Sequence, residues 1–379
     1  MRPSTLLAAS ASFALLIPGA VYAHPDPAQF AQTAFTQDPA IVECALEDGT
    51  QAECYEFTVA YKPDGLETGP FCPSNLAEIG GIWDWDGEEA GLYRLDRALF
   101  EMLAAQGYQF YDDNGDIAIS DPGAGGRPDA DHACLEASED DTVVITMRLP
   151  VDPVMAETPT DLGTVASVGV ALDGVPIFAD APSVLDTGHL PALDVCGGHI
   201  DPGGWYHWHG TSTDIETALE AEGVSADCAL TQDASAQFGY AFDGFPMFGS
   251  MEADGKGPEG LDACGGHIGP TVLGETYHYH ASESFPNLPA CLVGVMAEDN
   301  FATTADGGIG AERANGGPQG GQLPPGFDEA AASLGVTAEA LMQAIDDAGG
   351  READLAEVAE TLGVDDAALR DALPTPPNQ

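Results

Sequence analysis

One histidine-rich constellation occurs twice in this 379-residue chain, and an internal duplication constrains a fold more than any single motif does. The first copy reads Cys196-Gly197-Gly198-His199, then Tyr206-His207-Trp208-His209. The second reads Cys264-Gly265-Gly266-His267, then Tyr277-His278-Tyr279-His280. An Asp-Gly pair precedes each in a matching apolar frame, Val170-Ala171-Leu172-Asp173-Gly174-Val175-Pro176-Ile177-Phe178 and Tyr240-Ala241-Phe242-Asp243-Gly244-Phe245-Pro246-Met247-Phe248. Aligned on Asp-Gly the copies lie 70 residues apart (173 to 243), on Cys-Gly-Gly-His 68 (196 to 264), and on the His-x-His pair 71 (207 to 278). The stretches between blocks vary in length, so they read as loops. Two copies are too few for a solenoid. They predict two half-domains packed about a pseudo-twofold, with a site in each half or between them.

Six of the nine histidines fall in these motifs. Imidazole is the commonest metal ligand and the usual acid or base near neutral pH. In Tyr206–His209 and Tyr277–His280, imidazoles alternate with aromatic rings. On a strand, alternate side chains share a face, so both histidines of a pair aim one way and both rings the other. A helix would splay positions i and i+2 by about 200°. The nearby glycines, proline and aromatics also favour strand. His199 or His267, freed by a Gly-Gly pair, can supply a third nitrogen. The candidate metal ligands are therefore His199, His207, His209, His267, His278 and His280. Imidazole suits Zn, Cu, Ni or Fe, with Cu(II) bound most tightly, and three histidines with an open position are the pattern of a catalytic site. Asp173 and Asp243 could be ligands, orienting carboxylates or bases, but Asp-Gly between apolar runs is first a hairpin turn signal.

Residues 1–23 read as a signal peptide: Arg2, an apolar stretch from Leu6 to Ile17, and Val21-Tyr22-Ala23 for cleavage. The apolar stretch is too short to span a bilayer, so no membrane insertion is expected after cleavage. Export accounts for the eight cysteines as disulfides. Sequence alone cannot choose among their pairings. The repeat suggests Cys196–Cys228 and Cys264–Cys291, with Cys44–Cys54 closing a short hairpin. The rival reading makes Cys196 and Cys264 metal thiolates. With 63 acidic against 10 basic residues, nucleic acid is excluded as a partner. Such a surface stays soluble in strong salt.

The fold class read from these features is mainly β, α+β overall. A disulfide-braced, duplicated β-rich domain is followed by a small helical module. Residues 24–160 form an N-terminal β-rich region with one helix. Val143–Leu149 is β-branched and reads as a strand, and Leu92–Gln106 has helical spacing, with Leu95, Leu99, Met102 and Leu103 on one face. Asp112–Asp116 resembles the start of a calcium loop, but Ile117 stands where such a loop needs glycine, and a polar hairpin turn fits better. The duplicated domain covers 161–300, and a Gly/Pro-rich linker 301–325. The tail, 326–374, repeats Leu334-Gly335-Val336-Thr337 as Leu362-Gly363-Val364-Asp365, where glycine can end one helix and Thr or Asp can cap the next. It carries twelve acidic residues from Asp328 to Asp371 against Arg351 and Arg370, which favours a protein partner over DNA.

Tyr277-His278-Tyr279-His280, with Phe242–Gly249 and Leu261-Asp262-Ala263-Cys264-Gly265-Gly266-His267, resembles the bacterial secreted YHYH-domain proteins over roughly residues 165–297. The first copy departs from that pattern at Trp208, which spares the histidines and changes a buried ring. The resemblance implies an exported protein with a β-rich domain and no particular chemistry. The metal reading therefore rests on the residues.

The function expected is an exported protein binding a transition metal, Cu or Zn. A secreted metalloenzyme, hydrolytic with Zn or oxidative with Cu, is one alternative. A non-enzymatic surface or matrix protein with structural histidines is another. Sequence leaves open whether the chain is an enzyme. Geometry separates the readings. Nitrogens converging on one point favour a metal, an adjacent cleft with a carboxylate favours an enzyme, and nitrogens held against backbone carbonyls favour a structural role.

Overall fold

The computed structural model describes residues 24–124, 130–163, 166–179, 181–211, 233–282 and 287–311, and in the tail 327–334, 336, 341, 344–345 and 355–373. Residues 1–23, read above as a signal peptide, Cys228 and most of the stretch read as linker lie outside the described residues.

The duplicated region forms one mixed eight-stranded sheet. Its strands are β1 (Ser167–Ala171), β2 (Pro176–Phe178), β3 (Gly198–Ile200), β4 (Tyr206–Trp208), β5 (Gln237–Ala241), β6 (Pro246–Phe248), β7 (Gly266–Thr271) and β8 (Gly274–His280). Across the sheet they run β3-β4-β2-β1-β5-β6-β8-β7. Each copy supplies four neighbouring strands and pairs them in the same way. The Asp-Gly turn folds β1 against β2, and β5 against β6, antiparallel. Cys-Gly-Gly-His opens the antiparallel hairpins β3–β4 and β7–β8. The second strand of each hairpin lies parallel beside the preceding one, Trp208 opposite Ile177 and Tyr279 opposite Met247. The copies meet where β1 and β5 pair antiparallel, with Tyr240 opposite Val170.

Gly174 and Gly244 share a φ of 87°, a left-handed conformation that glycine adopts without steric cost. Asp173 and Asp243 accept the N–H groups of Val175 and Phe245 across the same turns. Two large aromatic sets follow from the frames: Phe178, Trp205, Tyr206, Tyr240, Phe242, Phe245 and Tyr279 are all fully buried.

Residues 24–160 contribute a long hairpin, Phe35–Ala45 with Gln51–Ala60, closed by Cys44–Cys54. Its second strand pairs with Val144–Pro150, which pairs in turn with Phe301–Thr303. The stretch read as linker thus begins with a strand. The reason is Phe301, whose ring lies 5.1 Å from those of both Phe178 and Trp205, against the aromatics of the eight-stranded sheet. Leu92–Gln106 is likewise not one helix. Gly91–Arg94 is a strand paired with Ile82–Trp85, and the helix is Arg97–Ala105, begun by Asp96, whose carboxylate accepts from Ala98 and Leu99. The Asp112 carboxylate accepts from Asn114 and Asp116 within its own turn, as a hairpin turn requires.

Cys264–Cys291 forms as expected, and Cys72–Cys134 completes the described bridges. Cys196 is also disulfide-bonded, and its expected partner Cys228 lies outside the described residues. Neither Cys196 nor Cys264 therefore offers a thiolate to a metal. These bridges fit an exported protein, and no helix among the described residues is long and apolar enough to cross a membrane. In the tail, Phe327–Leu334, Leu355–Leu362 and Asp366–Ala372 are helical. Val336 N–H bonds to Ala331 O and Val364 N–H to Ala359 O, the same helix-ending bond at both Leu-Gly-Val repeats.

Truncating Phe301 to alanine should cost about 3–5 kcal/mol of stability, read from urea unfolding of the oxidised protein. A loss near zero would show that the strand is not integral to the core.

Candidate metal centre

Three features place the imidazoles. Cross-strand pairing sets His199 opposite His207 and His267 opposite His278. Directly opposed residues hold their Cβ atoms about 4.5–5.5 Å apart. The alternation of β4 and β8 then brings His209 and His280, two residues on, to the same face. The Gly-Gly pair makes this approach sterically feasible. Gly197 and Gly265 take positive φ of 90° and 78°. A Cβ on Gly198 would lie 2.4 Å from the Tyr206 hydroxyl, and one on Gly266 2.1 Å from that of Tyr277. Only glycine leaves room there for the tyrosine ring to cross.

The rings on the other face are tied to aspartates. Tyr206 donates to Asp194 Oδ2 at 2.7 Å and Tyr277 to Asp262 Oδ2 at 2.9 Å. The second oxygen of each aspartate accepts the N–H of Cys196 or Cys264 at 2.9 Å and of Gly198 or Gly266 at 3.2 Å. One carboxylate thus fastens turn to strand in each copy. Asp173 accepts from Trp208 Nε1 at 3.3 Å, and Asp243 from the Tyr279 hydroxyl at 2.5 Å. Trp208 is therefore more than a changed ring, because it keeps a hydrogen-bond donor at the same place. Asp173 and Asp243 anchor aromatics and turns and stand apart from the histidine clusters. Neither belongs to a histidine group among the described residues.

The nitrogens converge in two groups, His199, His207 and His209, and Glu252, His267, His278 and His280, either of which could hold a metal ion. In the first, His199 Nε2 lies 3.0 Å from His207 Nε2 and 3.1 Å from His209 Nε2. In the second, His267 Nε2 lies 3.2 Å from His278 Nε2 and 3.1 Å from Glu252 Oε1, while His280 Nε2 is 3.8 Å from the same oxygen. Tetrahedral ligands at Zn–N distances of 2.0–2.1 Å sit about 3.3 Å apart, so the four shorter spacings match a filled site to within a few tenths of an ångström, while His280 and Glu252 stand about half an ångström wider.

The outer ring nitrogens fix the tautomers. In the second group, Nδ1 of His267, His278 and His280 faces the carbonyl of Glu259 at 3.0 Å, Thr276 at 3.2 Å and Gly249 at 2.8 Å. A carbonyl only accepts, so each Nδ1 carries the hydrogen and each Nε2 turns a lone pair inward. Three lone pairs then face one another and a carboxylate. A proton on His267 Nε2 would serve His278 and Glu252 but leave His280 Nε2, which is buried and has no hydrogen-bond partner among the described residues. In the first group His209 Nδ1 bonds Ala179 O at 2.7 Å and His199 bonds the Ala192 backbone. Both geometries anticipated from sequence, nitrogens on carbonyls and nitrogens converging, are found in the same rings except at His207, whose Nδ1 is buried with no hydrogen-bond partner among the described residues. That combination is how metal-bound imidazoles are oriented.

Burial favours the neutral form of five of these imidazoles. Desolvation pushes His209 and His278 down to about 4, lowers His280, and holds His199 and His207 well below the ordinary histidine range. Desolvation also pushes Asp173, Asp194 and Asp243 up to about 6. His24 sits outside both groups, with Nδ1 on Val151 O and Asp152.

Glu252 was not visible as a site residue, because it falls outside the repeated blocks. Asp194 and Asp262 were visible in principle, as the second residue before each Cys-Gly-Gly-His. Residues 146–258 match the family model described as YHYH protein. The match supports the resemblance read from the sequence; it takes in the first histidine group and Glu252 and ends before Cys264. No curated protein and no solved structure matches the chain.

Asp243 gives a pH signature. Its folded value is raised, so its contribution is full below about pH 4 and lost as pH rises through its folded value. The stability gap between wild type and Asp243→Asn should therefore be wider near pH 4 than near pH 7.5, by about 3 kcal/mol. Urea unfolding at both pH values checks this, and a gap independent of pH would refute it.

Proposed function

We propose that this is an exported protein, periplasmic or extracellular, that binds a transition metal, Cu or Zn, through His199, His207 and His209 in one copy and His267, His278 and His280 in the other. The observation that carries this reading is the tautomer assignment of the second group. Three imidazoles whose protons are committed outward turn their lone pairs onto one another and onto Glu252. Like-signed dipoles and a carboxylate held this close need a cation between them. One metal ion satisfies all four donors together, which a single proton does not. Imidazole donors suit both Cu(II) and Zn, with Cu(II) bound more tightly, and Cys196 and Cys264 are committed to disulfides.

A second reading is catalysis at the first group. Among the described residues its donors are three imidazoles, a set that leaves a coordination position for water or substrate. The acidic helical tail packs its own small core around Leu341, Val358 and Leu369, which supports a separate module for a protein partner.

Mature protein made without a His tag should carry about two ions per chain, measured by elemental mass spectrometry. His207→Ala/His209→Ala and His278→Ala/His280→Ala should each retain about one, and the fourfold variant none. A folded wild type that takes up neither Cu nor Zn would refute the reading. Because His199, His207 and His209 are already neutral at pH 7, filling the first group should release almost no protons. Calorimetry in buffers of differing ionisation enthalpy reads that directly.

A further inference from the structure

The two histidine groups differ at one position. In the Asp-Gly frame, Glu252 is 70 residues from Pro182 (182 to 252), and proline has no donor to offer. Glu252 is also held in place by its backbone. Met251 N–H bonds Ala234 O, Glu252 N–H bonds Lys256 O at 2.7 Å, and Gly255 N–H returns to Glu252 O at 2.8 Å. Gly255 takes a φ of 76°, which closes the turn. The turn's own cation, Lys256, pairs with Asp254. The Glu252 carboxylate therefore meets the lone pair of His267 Nε2 at 3.1 Å with no lysine to balance it from its own turn. The same segment supplies Gly249 O and Glu259 O to orient His280 and His267.

We infer that Glu252 is the fourth ligand of the second group and makes that group selective for a divalent ion over a monovalent one. This rests on the metal reading above. Attraction between a carboxylate and an ion scales with the ion's charge, so a divalent ion gains twice what Cu(I) gains. A carboxylate oxygen is also a hard donor, suited to Zn(II) or Cu(II), whereas Cu(I) prefers soft ligands. Three neutral imidazoles alone distinguish the two charges far less.

The test uses the full mature chain carrying His207→Ala/His209→Ala, so that only the second group is read. Affinities for Zn(II) and for Cu(I) held reduced by ascorbate are measured by chelator competition, with near-UV circular dichroism to confirm folding. Glu252→Gln should weaken Zn(II) by about 30-fold or more and Cu(I) by no more than about threefold. Glu252→Asp, which keeps the charge, should hold Zn(II) to within about tenfold of the parent. Equal weakening of both ions by Glu252→Gln, or an unchanged Zn(II) affinity, would overturn the inference while leaving the metal site standing. If the folded parent binds neither ion, the metal reading of this group fails and the inference with it. Should Glu252→Gln misfold, Glu252→Asp and Glu252→Ala decide the same question, since selectivity must follow the charge.

Discussion

In each copy a carboxylate, buried at Asp194 and exposed at Asp262, holds together two pieces of chain that the site needs in register. Asp194 and Asp262 accept two backbone N–H groups from the Cys-Gly-Gly-His turn on one oxygen and a tyrosine hydroxyl from the facing strand on the other. Remove that bridge and the turn can drift relative to the strand. The first histidine of each set lies on the turn's strand and the other two follow the tyrosine, so their convergence depends on this fastening. Asp173 and Asp243 repeat the logic one strand further in, where Trp208 or Tyr279 reaches the Asp-Gly turn. The aromatic residues are therefore amphipathic struts, packed by their rings and located by their polar tips.

Much of the fold around the histidines was legible. The His-x-His alternation could only place two imidazoles together on a strand, and β4 and β8 are strands. Asp-Gly between apolar runs gave hairpins, and two of the proposed disulfides, Cys44–Cys54 and Cys264–Cys291, form. What periodicity could not supply was the long-range partner. Leu92–Gln106 has helical spacing throughout, yet Gly91–Arg94 finds a strand at Ile82–Trp85 and the helix waits for the cap at Asp96. Phe301 sits among glycines and small polar residues in the sequence, and only its packing against Phe178 and Trp205 shows why a strand forms there.

The candidate site was legible as a set of histidines but not as an electrostatic arrangement. Sequence shows which imidazoles can meet. It does not show that Glu259, Thr276 and Gly249 present carbonyls to their outer nitrogens, because any residue type can offer a carbonyl. Glu252 was hidden for a different reason. It falls outside the repeated blocks, at a position where the first copy carries Pro182, so comparing the copies draws attention away from it.

The seam between the copies has a consequence of its own. β1 and β5 are each completed by the other, with Gly169, Val170 and Ala171 paired to Ala241, Tyr240 and Gly239. A chain bearing a single copy would leave that strand as a bare, apolar rim with unmet backbone donors and acceptors. Such a rim recruits any strand of suitable sequence, and the most suitable sequence at hand is another molecule of the same kind. The joined arrangement is thus what a self-pairing half would reach by association, with concentration removed from the equilibrium because both halves travel on one polypeptide.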